Sequence, residues 1–237
     1  MIYQADFIAE KAGLSGIYSE IAVKLHGAAM GLVKREYAEL LHTKDYHPFS
    51  IFTVPAEEYI IIRVSALNDE ARCIIDAFRR AGALKIYGID KSLGVVPQSE
   101  APPITAERAG EFIAGWQCRL VFASPACFKS GGRVCCFPEP QRYFYSTICK
   151  YNKFEGGELS YEEFCAAFAA GEIGDYRLSR EKYNVSGNMF HGMTGYIDYH
   201  FPADGGSTAL LKRVFAYATY CGVGGKTGMG MGGFIIS

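Results

Sequence analysis

The order in which apolar periodicities follow one another is what most limits how this chain can fold. Residues 3–8 alternate as a short strand. Residues 19–42 then carry Ile21, Leu25, Ala28, Ala29, Leu32 and Leu40 at three- and four-residue steps, the spacing of a helix, with Gly27 and Gly31 as points where it can break. Two apolar runs, 49–54 and 59–64, meet at the turn residue Pro55 and predict a pair of strands. Asn68, Asp69 and Glu70 open a second helix, whose stripe Ala71, Ile74, Ile75 and Phe78 ends near Gly82, and 84–96 returns to strand.

Strand, helix, strand, strand, helix, strand is the split βαβ, or ferredoxin-like, order. Pro97, Pro102 and Pro103 then mark a linker. Beyond it the order repeats: a strand at 117–124, a short helix at 143–151, and an amphipathic insertion carrying Tyr161, Phe164, Cys165 and Phe168. Strands follow at 177–185 and 195–201, then a helix at 207–221 capped by Ser207 and ended by Gly222, and a last strand at 234–236. The expected fold is α+β, two tandem ferredoxin-like domains: residues 1–100, a linker at 101–116, and 117–237 with a glycine-rich loop at 222–233.

Charge narrows the partners. With 24 basic and 25 acidic residues the net charge is −1, so a nucleic-acid surface here is a local patch and not a property of the whole chain. No apolar run approaches the roughly 18 residues a membrane helix needs; the best, Tyr59 to Ile62, stops at Arg63. The opening residues lack a signal peptide's basic and apolar regions, so a cytoplasmic protein with no membrane partner is expected. Eight cysteines lie between Cys73 and Cys221 without a CxxC pair, which favours reduced, mostly buried thiols over a disulfide scaffold or a zinc site.

The chain closes on Gly222-Val223-Gly224-Gly225-Lys226-Thr227-Gly228-Met229-Gly230-Met231-Gly232-Gly233. Glycines permit positive φ and close backbone approach, as a phosphate-cradling loop requires. A Walker loop would need glycine where Tyr220 stands, and would follow a strand and open a helix. Gly228, Gly230 and Gly233 fit the dinucleotide fingerprint, but no helix fits in the four residues left. A tight connector without a ligand is the bland alternative.

Two glycine–apolar–glycine triplets, Gly222-Val223-Gly224 and Gly230-Met231-Gly232, flank five residues. This spacing resembles the signature loop of the CRISPR-associated RAMP proteins, and the central Lys226 and Thr227 resemble the Cas6 family within them. The likeness extends to Leu40-Leu41-His42 followed by His47-Pro48-Phe49-Ser50, to 59–67, to Phe122-Ala123-Ser124-Pro125, Phe137-Pro138-Glu139-Pro140 and Lys150-Tyr151-Asn152-Lys153-Phe154, and to 192–199.

The resemblance implies an endoribonuclease that cuts CRISPR repeat RNA, needs no metal or other cofactor, partners pre-crRNA and other effector subunits, and is a monomer or homodimer. A 2′-hydroxyl can attack its own 3′ phosphorus, leaving a 2′,3′-cyclic phosphate and a 5′-hydroxyl. That reaction needs a base, an acid and cations, and histidine serves either proton role near neutral pH. His42 matches the family's catalytic histidine, with His47 or Lys44 supplying a further polar or cationic group. Met30 stands where the family often has a tyrosine, so a different partner is implied. His26 is the candidate, although on an unbroken helix it would lie about 24 Å from His42 and could join the site only across a break. His191 beside Gly192 and His200 are expected to be bland, and Asp198 with His200 is the only compact metal-like pair.

For RNA binding the resemblance points to Gly222, Gly224, Gly225, Lys226, Thr227, Gly230 and Gly232, helped by Lys212 and Arg213. Lys150, Lys153, Arg177, Arg180 and Lys182 could extend a basic track, and Tyr143, Tyr145 and Tyr151 could stack on bases. Two other functions share these features: a non-catalytic RAMP subunit that holds guide RNA, which Met30 favours, and an ATPase built on Gly225-Lys226-Thr227.

Overall fold

The computed structural model describes residues 1–11, 14, 18–43, 45–87, 92–111, 117–136, 139–202 and 205–237. The first half runs β1 (Ile2–Glu10), α1 (Tyr18–Leu32), α2 (Arg35–His42), β2 (Phe49–Pro55), β3 (Tyr59–Ala66) and α3 (Arg72–Ala81). The two-residue strands β4 (Ala83–Leu84) and β5 (Leu93–Gly94) and then β6 (Val96–Ile104) complete it. Its sheet has the order β2-β3-β1-β6, antiparallel throughout. The second half runs α4 (Ala106–Glu111), β7 (Gln117–Ala126), β8 (Phe128–Ser130), β9 (Arg133–Cys135), α5 (Pro140–Tyr143), α6 (Tyr145–Glu155) and α7 (Tyr161–Ala169). It ends with β10 (Glu172–Val185), β11 (Asn188–His200), α8 (Gly205–Cys221) and β12 (Phe234–Ile236), in a sheet of order β10-β11-β7-β12. In both sheets the first and third long strands lie at the centre, so the ferredoxin-like arrangement occurs twice.

Several elements depart from the sequence reading. The proline-bearing stretch is not a linker but strand β6. Prolines survive there because β6 is an edge strand with β1 as its one neighbour, and Pro97 falls at a register shift opposite Phe7. Residues 106–111 of the expected linker form α4, packed on α8 where Gly110 lets the Arg213 backbone approach. Residues 112–116 lie outside the described residues. Of the strand expected over 84–96, the described residues form β4 and β5, and residues 88–91 lie outside the described residues. Helix α8 begins at Gly205, so Ser207 does not cap it. The hairpin of β10 and β11 is longer than expected, turning at Ser186 and Gly187, both with positive φ.

The helix over 19–42 does break, at Val33 and Lys34, just past Gly31; Lys34 is extended, with φ −60° and ψ 139°. Helix α3 starts as expected, with Asn68 Oδ1 accepting the Ala71 N–H at 2.8 Å, and stops at Gly82 in the left-handed region. All eight cysteines are free thiols, Cys127 and Cys221 buried and the others half-buried.

Each half has its own core. In the first, Phe7, Ile62 and Val64 of the sheet pack against Ile21, Leu25, Ile74 and Phe78. In the second, Phe122, Ile197 and Phe234 pack against Phe144, Phe164 and Phe215. Between the two, Ile2 and Leu67 meet Tyr151, Tyr217 and Cys221. The Ser50 hydroxyl donates to the Tyr220 carbonyl across the same seam at 2.5 Å. The end of α8, and the glycine loop after it, thus lie against the first domain. No helix among the described residues is long and apolar enough to cross a membrane.

Candidate active site and RNA interface

The loop after α8 is stitched into its own domain. Gly222 N–H donates to the Ala218 carbonyl (2.8 Å), Val223 to Gly232 (2.8 Å), Gly224 to Tyr143 (2.8 Å) and Gly225 to Cys127 (2.8 Å). Gly232 donates to Pro125 (3.0 Å) and Gly233 to the Ser124 hydroxyl (2.7 Å). The amides of Gly222, Gly224, Gly225 and Gly232 therefore shape the loop and do not point at a ligand. The loop also joins a helix to a strand, the reverse of a Walker loop.

Helix α6 braces the loop from below. Ser146 donates to the Gly224 carbonyl (2.8 Å) and Thr147 to that of Gly222 (3.1 Å). Lys150 donates to the Cys221 carbonyl (2.8 Å) and the Thr227 hydroxyl (2.6 Å). The expected place of Lys150 on a surface track is thereby corrected: it is buried, and desolvation lowers its pKa. These three residues were missed as a group, although 146, 147 and 150 share a face of a short helix and such polar residues would signal a buried acceptor. With Thr227 accepting from Lys150, its own hydroxyl proton is left to donate elsewhere.

At the apex Lys226 is exposed in the left-handed region, with φ +61°. Its carbonyl accepts the N–H of Met229 (2.9 Å) and Met231 (3.3 Å), which holds the strained turn. Its ammonium stands 4.6 Å from the centre of the Phe190 ring.

His26, on α1, reaches this loop. It is buried, and its Nδ1 lies 2.9 Å from the Gly228 carbonyl. A carbonyl only accepts, so Nδ1 carries the proton and Nε2 keeps its lone pair. The ring stacks on Phe49 (centroids 5.8 Å apart) and on His47 (6.1 Å). Gly228 packs closely here: a Cβ would lie 3.0 Å from His47 Nδ1 and 3.2 Å from the Phe49 ring, so both rings would have to yield. Burial lowers the pKa of His26, with the Gly228 hydrogen bond opposing it and His42 adding repulsion. His47 is pushed down to about 4, chiefly by burial and then by His26, Lys150, His42 and Lys226. Both imidazoles are thus neutral at pH 7. His42 ends α2, exposed and within electrostatic reach of both. Lys44 lies outside the described residues.

A cleft of about 790 Å³ joins the two domains at this point, with Asp45, Tyr46 and His47 on one wall and residues 224–229, Arg142 and Tyr145 on the other. Lys212 and Arg213 are not on it: both sit half-buried midway along α8, about 14 Å of helix from Cys221 for Lys212. Tyr143 and Tyr151 are buried and cannot stack on a base, whereas Tyr145 is exposed. Arg177, Arg180 and Lys182 are exposed on the edge strand β10. His191 lies within β11 opposite Lys182. Asp198 is held by two Arg119 hydrogen bonds (2.7 and 2.8 Å), and His200 faces Gln117 at 3.2 Å. Among the described residues, no three His, Cys, Asp or Glu side chains converge to hold an ion. Met30 packs, partly buried, on the first core.

Residues 120–234 match the family model described as CRISPR-associated endoribonuclease Cas6. The CRISPR-associated endoribonuclease Cas6 of Streptococcus thermophilus is 24% identical over 221 residues, 90% of each chain. That of Mycobacterium tuberculosis is 26% identical over 220 residues, 88% of this chain and 69% of the other. Among solved structures, a Cas6 product complex superposes with a TM-score of 0.74 at 22% identity, covering all of both chains. Thermus thermophilus Cas6 does so with a TM-score of 0.70 at 20% identity, covering 100% of this chain and 97% of that one. The chain is thus similar to Cas6 proteins in sequence and in fold over nearly its whole length, and its second half matches the Cas6 family model.

Proposed function

We propose that this chain processes pre-crRNA by cutting repeat RNA through its own 2′-hydroxyl, without a metal ion. The observation that carries the reading is the meeting of two neutral imidazoles, His26 and His47, with Gly228 of a loop whose apex presents Lys226. One domain brings the proton-transfer groups and the other the cation for phosphate. Neutral His26, with Nδ1–H fixed on the Gly228 carbonyl and Nε2 free, is the base that takes the 2′ proton; it fills the place left by Met30. His47 stacks on it and fixes the ring plane. His42, exposed to solvent at the end of α2, returns a proton to the departing 5′-oxygen. Lys226 and the Thr227 hydroxyl hold the non-bridging oxygens as negative charge grows in the phosphorane. The products are a 2′,3′-cyclic phosphate and a 5′-hydroxyl.

The test is cleavage of labelled repeat RNA in EDTA, with product ends identified. Cutting should persist, stop when the nucleotide 5′ of the cut is deoxy, and fall about 10²–10⁴-fold in His42→Ala and in His26→Ala with RNA binding retained. RNA that is bound but never cut refutes the reading and leaves the non-catalytic, RNA-holding subunit that Met30 favours.

A further inference from the structure

Beyond the loop, the same cleft is lined by five aromatic side chains, Tyr46, Phe128, Tyr145, Tyr161 and Phe190, far more than phosphate binding calls for. We infer that it is a subsite for one unpaired nucleobase of the RNA, stacked on Tyr145; the inference rests on the RNA-cutting reading above. Tyr145 opens α6 and is 52% exposed, whereas its neighbours Tyr143 and Phe144 are fully buried. Its ring meets Tyr161 at 5.1 Å and 83°, a T-shaped contact that braces the ring and covers at most one of its faces. An exposed, braced aromatic at the mouth of a concave site is a platform for a flat ligand. The volume, about 790 Å³, falls in the range of sites that bury a small ligand.

Charge selects the kind of ligand. Lys129, Arg142 and Lys226 stand on the cleft wall against one carboxylate, Asp45. Arg142 is itself oriented by Glu139 (2.5 Å) and by the Ser130 hydroxyl (3.0 Å). Lys226 lies over Phe190 on that wall, so the cation proposed for the scissile phosphate also borders the aromatic chamber. A nucleotide flanking the cut can keep its phosphate at Lys226 and turn its base toward Tyr145, with Asp45 and Arg142 placed to meet the base edge. A base still stacked and paired in a duplex presents no free face to such a platform; one splayed from a single strand does.

The subsite is tested with uncleavable repeat RNAs, deoxy at the nucleotide 5′ of the cut and each abasic at one flanking position. Their binding to the full chain is compared with that of Tyr145→Phe and Tyr145→Ala. Tyr145→Ala should bind intact RNA about 5- to 100-fold more weakly, and Tyr145→Phe nearly as the parent does. At one abasic position the difference between parent and Tyr145→Ala should vanish, and at the others persist. A penalty that survives every abasic substitution, or a Tyr145→Ala chain that binds intact RNA normally, overturns the subsite while leaving the cleavage reading standing. Failure of the parent chain to bind repeat RNA at all overturns both.

Discussion

His47 ties the candidate site to the stability of the fold, and the tie can be measured. In the folded chain its pKa is pushed down to about 4, first by burial and then by His26, Lys150, His42 and Lys226, all potential cations; no acidic group figures among the causes. Unfolded, it titrates near 6.5. Between these values the unfolded chain holds a proton that the folded chain lacks, so stability falls as pH falls. The contribution is fully present above pH 6.5 and lost on the way down to pH 4. Between pH 7 and pH 4.5 this one group costs about 2 kcal/mol of folding stability. Urea unfolding at both pH values, for the parent and for His47→Gln, isolates it, because the carboxylates and other histidines titrate in both chains. The parent should lose about 2 kcal/mol more than the variant does. An equal loss in the two would show that His47 charges freely in the folded state, and would remove the argument that it is a neutral imidazole in the site.

The architecture was legible because it rests on local periodicity: strands and helices bury one face each, and both passes of the split βαβ order emerge from that. The misreadings all involve contacts that periodicity does not encode. The prolines of β6 break a strand's hydrogen bonds only on a side with a neighbour, and nothing local says that β6 has one neighbour. Tyr143, Tyr145 and Tyr151 are alike as residues, yet Tyr143 at the end of α5 and Tyr151 within α6 are in the core while Tyr145 at the start of α6 faces the cleft. Lys150 reads as a surface cation, but its acceptors, the Cys221 carbonyl and the Thr227 hydroxyl, lie 71 and 77 residues away.

For the candidate site, the sequence singled out the loop and the histidines but not their pairing. The distance argument against His26 held only for a continuous helix. The break at Val33 and Lys34 removes that premise, and His26 of α1 meets Gly228, 202 residues on. Glycines that resemble phosphate-binding residues by spacing serve mainly to let two domains and a helix approach one loop. The amides of Gly222, Gly224, Gly225 and Gly232 are spent within the fold, and Lys226 stands exposed at the apex.

Two further outcomes separate these roles. Lys226→Ala should weaken binding of repeat RNA and lower the salt slope of log Kd by about one, the release of one counterion; an unchanged slope would deny the phosphate contact. Gly230→Ala tests the loop as a spacer between domains. Gly230 has φ +91°, and an added Cβ would overlap Ala22 of α1 and the Tyr183 hydroxyl, which itself donates to the Met229 carbonyl at 2.9 Å. The left-handed backbone costs about 1–2 kcal/mol for a residue with a Cβ, and the overlap about 1–3 more. Gly31→Ala is the control: its Cβ meets nothing within 4 Å inside a helix, and it should stabilise by about 0.5–1 kcal/mol. A loss in Gly230→Ala clearly beyond the roughly 1–2 kcal/mol of backbone strain, against a gain in Gly31→Ala, supports a loop whose glycine is needed for contact between domains. A loss no larger than that strain would mean that α1 and the loop are not in contact in solution, and His26 would then have no fixed partner at Gly228.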